Sequence, residues 1–97
     1  MRPTRLADEE VASRLRALRD WTVKDGKLHR DFRFADFTRA FAFMTAVALR
    51  AEAMGHHPEW FNVYDRVSVD LTTHDAGGIT ELDFQLAAFA DSVAEQR

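Results

Sequence analysis

Three of the four histidines, His56, His57 and His74, fall in two short segments that flank one expected strand. The first segment runs Glu52-Ala53-Met54-Gly55-His56-His57-Pro58-Glu59-Trp60, and the second is Thr72-Thr73-His74-Asp75. Imidazole ionises near neutrality, so grouped histidines can both give and take a proton at working pH. Three readings of such a set are open. Three imidazoles are a legitimate ligand set for zinc or another metal. Adjacent histidines in an extended chain diverge, however, and neither His-x-His nor His-x₃-His spacing is present. Alternatively, the histidines are surface or capping residues without chemistry. In the third reading they perform metal-free acid–base catalysis on a planar ligand, with Trp60 or Phe61 as an apolar wall. A serine nucleophile fits less well, because Ser13, Ser68 and Ser92 fall inside expected helices or strands rather than at a nucleophile elbow. Gly77-Gly78 lacks the spacing of a phosphate-cradling loop and reads as a turn.

The elements around these residues decide whether they can meet. Gly55 suits the left-handed residue that closes a helix, and Pro58 pushes His57 into an extended conformation. His56 and His57 are therefore expected on a rigid connection at a helix C-terminus, with Glu52 about one turn back. The negative end of the helix dipole favours a protonated imidazole there. His74 lies beyond the next strand, and a strand of about ten residues spans about 33 Å. His56 and His74 can meet only if the chain reverses between Trp60 and Tyr64, and Asn62 is a suitable turn residue.

The remaining elements follow from periodicity and caps. Ala7 to Asp20 reads as a helix, with Val11, Leu15 and Leu18 on one stripe and either Ala7 or Asp8 as N-cap. Trp21–Lys24 and Lys27–Phe34 read as a hairpin joined by Asp25-Gly26, since both residues tolerate the positive φ of a type I′ turn. Leu28, Phe32 and Phe34 point to the core with Arg30 as the exception, and His29 falls on the polar, solvated face. Asp36 caps a long helix ending near Met54. Its expected core stripe is Phe37, Phe41, Met44, Ala48 and Ala51, while Phe43 and Val47 lie off it, as a wide core face or as a contact for another subunit. Val63, Val67, Val69 and Leu71 alternate with polar residues. Whether His57–Asn62 forms its own short edge strand beside Pro58 is open. Thr80 caps a last helix, stapled by Ile79 and Phe84, with Leu82, Leu86, Phe89 and Val93 buried.

The expected fold is thus α+β, a two-layer sandwich in the order α-β-β-α-β-β-α. An antiparallel sheet of about four strands has helices on one face. Residues 1–97 are expected to form a single domain. The apolar fraction of 46% and charged fraction of 30% match an ordinary globular chain rather than a disordered one. A net charge of −3 gives no reason to expect nucleic acid, and Arg2 and Arg5 are too few for a basic arm. There are no cysteines, which excludes thiolate chemistry and fits a reducing compartment. No apolar run approaches the length of a membrane span, and no secretory signal opens the chain. A soluble cytoplasmic protein is expected.

The string Glu52-x₃-His56-His57-Pro58-Glu59-Trp60-x-Asn62-Val63-Tyr64, followed by Thr72-Thr73-His74-Asp75 and Gly78-x-Thr80-x₂-Asp83, resembles the pterin-4a-carbinolamine dehydratase family. That family also contains a dimerisation cofactor of a hepatocyte transcription factor. The resemblance covers most of the chain, with two mild departures: Asp75 stands where the family often has Glu, and Ala7 where it often has a capping Ser or Thr. It implies a dehydratase that converts 4a-hydroxytetrahydropterin to quinonoid dihydropterin in tetrahydrobiopterin recycling, without metal or cofactor. It further implies that His56 and His74 form the acid–base pair. His57 would position the pterin, Glu52 and Asp75 would orient imidazoles, and Pro58 and Trp60 would line the substrate site. The implied partners are the pterin and further copies of the chain, as a homodimer or homotetramer. The rival reading is a non-catalytic dimerisation or interaction module.

Overall fold

Two hairpins set the frame, and each turns through at least one residue with positive φ. The computed structural model describes residues 3–96, so Arg2 lies outside it. Asp25 and Gly26 adopt φ of 53° and 76° and join β1 (Thr22–Lys24) to β2 (Lys27–Arg33). This is the expected hairpin. The second joins β3 (Glu59–Val63) to β4 (Arg66–Leu71). The chain therefore does fold back, and His57–Asn62 does feed a short edge strand after Pro58. The turn falls at Tyr64 (φ 50°) and Asp65 rather than at Asn62. Asn62 serves it from within β3: its amide nitrogen donates to the carbonyls of Tyr64 (3.2 Å) and Arg66 (2.8 Å).

The four strands form one antiparallel sheet in the order β1-β2-β4-β3. Leu28, Phe32, Val67, Val69 and Leu71 face the helices and are buried. Arg30 shares that face because its guanidinium covers the Phe32 ring, 4.1 Å from the centroid, and bonds Asp91 at 2.5 Å. Val63 lies opposite Arg66 on the open face and is exposed, because the turn breaks the phase it was expected to share with Val67. His29, on the same open face, is not simply solvated. Its Nδ1 lies 2.8 Å from Asp70 and its Nε2 3.3 Å from Asp31.

The helices depart from expectation in extent and phase. Helix α1 (Asp8–Leu15) starts after Ala7, its N-cap, and stops five residues short of Asp20. Tight i→i−3 bonds at Arg16, Ala17, Leu18 and Trp21 follow. They carry Trp21 into the core, where its Nε1 donates to Asp91 at 2.8 Å. Tertiary docking of the indole overrides the helical pattern. Helix α2 (Phe37–Met54) has the expected caps, with Asp36 Oδ1 accepting from the Arg39 amide and Gly55 at φ 64°. Its buried stripe is Ala40, Phe43, Val47 and Ala51. Phe37 and Phe41, expected in the core, are exposed. The Phe43 ring lies 4.6 and 4.9 Å from those of Phe32 and Phe34, and Ala40 leaves room for close approach to the sheet. Both stripes of α2 are apolar, so hydrophobicity alone does not say which faces inward.

After β4 come a 3₁₀ turn (His74–Ala76) and helix α3 (Glu81–Ala94). Ile79 and Phe84 are buried as expected for a staple. The buried face of α3 is Asp83, Phe84, Leu86, Ala87, Ala90 and Val93, while Leu82 and Phe89 sit at its margin. Among the described residues no helix is long and apolar enough to cross a membrane.

Candidate active site

At the C-terminus of α2 the left-handed Gly55 turns the chain so that its own N–H bonds the Glu52 carbonyl and that of His56 bonds Ala51 (3.1 and 3.0 Å). This double closure sends His56 inward and His57 outward. His56 is 8% exposed, whereas the His57 side chain is 63% exposed. The two rings diverge, as an extended pair must.

His56 is held by a buried polar cluster. Its Nε2 lies 2.5 Å from Asp83 Oδ1. Asp83 Oδ2 accepts from the Thr73 hydroxyl and from the Thr80 backbone N–H, both at 2.9 Å. The two threonine hydroxyls are 2.8 Å apart, and Thr80 Oγ1 accepts from the Leu82 amide at 3.2 Å. Asp83 and Thr80 are wholly buried, and no buried polar side-chain atom among the described residues lacks a partner. The cluster thereby satisfies the rule that a buried charge must be paired and hydrogen-bonded. One carboxylate links the His56 ring to Thr73, the residue before His74.

The other two histidines carry surface pairs. His57 Nε2 meets Glu52 Oε1 at 2.8 Å. His74 Nε2 meets Glu59 Oε2 at 2.9 Å, and Glu59 Oε1 accepts from Lys27 Nζ at 2.5 Å. The Lys27 ammonium, and after it His74, holds the Glu59 carboxyl below the usual carboxylate range, and Glu59 in turn raises Lys27. All three imidazoles thus face a carboxylate through Nε2. A carboxylate only accepts, so each pairing places the proton on Nε2 and leaves Nδ1 for exchange. His56 Nδ1 has no partner among the described residues and is not sealed in, so it opens to the surface.

The remaining expected site residues are placed as follows. Glu52 bonds the His57 imidazole. Asp75 is exposed and makes no side-chain hydrogen bond among the described residues; Glu59 occupies the position beside His74. Pro58 is half-buried at the entry to β3. Trp60 lies opposite Val69 on the helix-covered face and packs on the core, whereas Phe61 points to the open face. A cleft of about 410 Å³ among Leu6, Val11, Leu15, Val23 and Ile79 borders this end of the molecule at Gly26, Gly77 and Gly78 and is lined by none of the histidines. Sequence reasoning left Asp83 and Glu59 off the site. Asp83 was visible through the Thr80-x-x-Asp83 spacing of a capping box, and Glu59 as the one carboxylate inside the His-His-Pro-Glu-Trp string.

Fold and site together define a class: a small α+β protein with carboxylate-bound histidines gathered at one end of an open antiparallel sheet. The chain belongs to the pterin 4 alpha carbinolamine dehydratase family, whose model matches residues 4–93. It is 64% identical over 91 residues to a Solibacter usitatus protein provisionally named a pterin-4-alpha-carbinolamine dehydratase, covering 94% of this chain and 96% of that one. A Paraburkholderia xenovorans protein with the same provisional name is 53% identical over 91 residues, covering 92% and 95%. The crystal structure of a transcriptional coactivator/pterin dehydratase from Brucella melitensis superposes with a TM-score of 0.91 at 47% identity, covering 94% of this chain and 99% of that one. A pterin dehydratase-like protein identified as a RuBisCO assembly factor in the alpha-carboxysome is more distant, with a TM-score of 0.63 at 27% identity over 76% and 86% of the two chains.

Proposed function

We propose that the chain, as one domain, is a dehydratase that removes water from 4a-hydroxytetrahydropterin to give quinonoid dihydropterin in tetrahydrobiopterin recycling. In that reaction the C4a–oxygen bond breaks as an acid protonates the leaving hydroxyl. A base takes the proton from the adjacent ring nitrogen, and a C=N bond forms. His56 and His74 are the acid–base pair, one entering as imidazolium and the other as neutral imidazole. Each acts through Nδ1, because Nε2 is committed to Asp83 or Glu59. His57 and Glu52 bind the pterin edge, with Pro58 and Trp60 as apolar lining and Asp75 at the rim. No cofactor is required by this chemistry.

The observation that carries the reading is the pairing of His56 with Asp83, whose second oxygen holds the residue next to His74. Positioned acid–base groups contribute about 10²- to 10⁴-fold each. The test is the dehydration rate of freshly generated 4a-hydroxytetrahydropterin. The protein should accelerate it, and His56→Ala and His74→Ala should each lose most of that acceleration. A rate equal to the uncatalysed one rejects the reading.

A second reading, an interaction module, is supported by the exposed apolar side of α2, where Phe37, Phe41 and Leu49 lie away from the core. Patches of this kind mark partner surfaces, and we place the contact between copies in a homodimer or homotetramer. The distant likeness to a RuBisCO assembly factor keeps a non-catalytic role as the alternative. Light scattering of Phe41→Glu separates the cases, because an unchanged mass removes this face as the interface. Phe43, buried under the sheet, would test only the core. The cysteine-free composition is compatible with a cytoplasmic setting.

A further inference from the structure

We infer that Glu59 is a positioning residue for His74 and that Lys27 fixes Glu59, an inference that rests on the dehydratase reading and deepens it. His74 begins a short 3₁₀ turn and its side chain is 78% exposed. Nothing in the core holds such a ring, and an acid–base group must be oriented to work. The only side-chain hydrogen bond on His74 among the described residues is the one to Glu59. Glu59 is itself a flexible side chain on an edge strand, and it is pinned at its other oxygen by Lys27 from β2. The three residues sit at the adjacent ends of three strands: Lys27 opens β2, Glu59 opens β3, and His74 follows the end of β4. The register of the sheet therefore determines the placement of the ring.

Lys27 takes one oxygen of the Glu59 carboxylate and leaves the other aimed at the ring, so one rotamer of Glu59 serves both partners. The other charges near this chain of contacts are Asp25 in the first hairpin and Asp70 on β4, both of which act on Lys27, and Asp75 beside His74. None replaces Glu59 on the ring.

The test combines kinetics with imidazole NMR on the full-length protein. Glu59→Gln should lower kcat about tenfold or more, with little change in KM. Lys27→Met should lower kcat a few-fold, with Lys27→Arg restoring it. In the double variant Lys27→Met should add nothing to Glu59→Gln, because Lys27 acts through Glu59. In nitrogen-detected imidazole spectra the His74 Nε2 signal should carry a hydrogen-bonded shift in the wild type, lose it in Glu59→Gln and keep it only in part in Lys27→Met. Wild-type kcat in Glu59→Gln, additive losses in the double variant, or a His74 Nε2 signal that does not change would each overturn the inference. The NMR arm needs no substrate. A wild-type protein without dehydratase activity therefore rejects the function, while the imidazole spectra still decide the positioning.

Discussion

His56 and His74 pair with carboxylates by the same ring nitrogen, yet one pair is built into the core and the other lies on the surface. The His56–Asp83 contact is enclosed, with Asp83 wholly buried and its other oxygen satisfied by two further residues, Thr73 at the exit of β4 and Thr80 at the cap of α3. The His74–Glu59 contact is open to water on both sides and depends on Lys27. A buried pair is rigid because breaking it strands a charge, whereas an exposed pair contributes little to stability and orients only as well as its anchors allow. One imidazole is fixed by burial, and the other is held at the surface by the Glu59–Lys27 pair.

The comparison predicts unequal responses to mutation. Asp83→Ala should cost about 3–5 kcal/mol, because it leaves the Thr80 amide, the Thr73 hydroxyl and His56 without their acceptor. Urea denaturation would read this together with loss of dehydratase activity. Unchanged stability would mean the cluster is not the closed unit described. His74→Ala should reduce activity by about 10²-fold or more while denaturation stays within the scatter of surface substitutions. A large stability loss there would erase the distinction between the two pairs. Thr73→Val should fall between them, costing about 1 kcal/mol for one hydrogen bond to Asp83.

The smallest effect concerns acid. Glu59 is held below the usual carboxylate range in the folded protein, so its contribution is whole above that range and fades as pH falls through its lowered value. Stability should therefore decline in acid, and Glu59→Gln should remove a slight part of that decline. Asp31, held low first by the Ser68 hydroxyl and then by His29, leaves the same trend in the variant. Denaturation curves for both proteins from neutral into acid pH would show it.

Much of this arrangement could be read from local sequence rules. Asp25-Gly26, the Asp36 and Thr80 caps and Gly55 each solve a backbone problem that few residues solve, so they mark element ends reliably. Strand length made a fold-back the condition for His74 to approach the helix end. The chain does turn back, at Tyr64-Asp65 rather than Asn62, because the Asn62 side chain supports the turn from the strand. What local rules missed depended on tertiary choice. Trp21 cut α1 short by docking on Asp91, and α2 offered two apolar stripes between which only the Phe32 and Phe34 rings decide. Asp83 was legible as a capping residue but not as the partner of His56, since the same carboxylate does both through different oxygens. Glu59 likewise needed β2 and β3 brought together before its link between Lys27 and His74 existed.

A crystal structure of the protein soaked with a dihydropterin tests the central claim most directly. The account predicts the ring between His56 and His74, within hydrogen-bond reach of their Nδ1 atoms, with His57 at its edge and Trp60 nearby. A pterin seated instead in the cleft of Leu6, Val11 and Val23, or anywhere out of reach of both imidazoles, would contradict it.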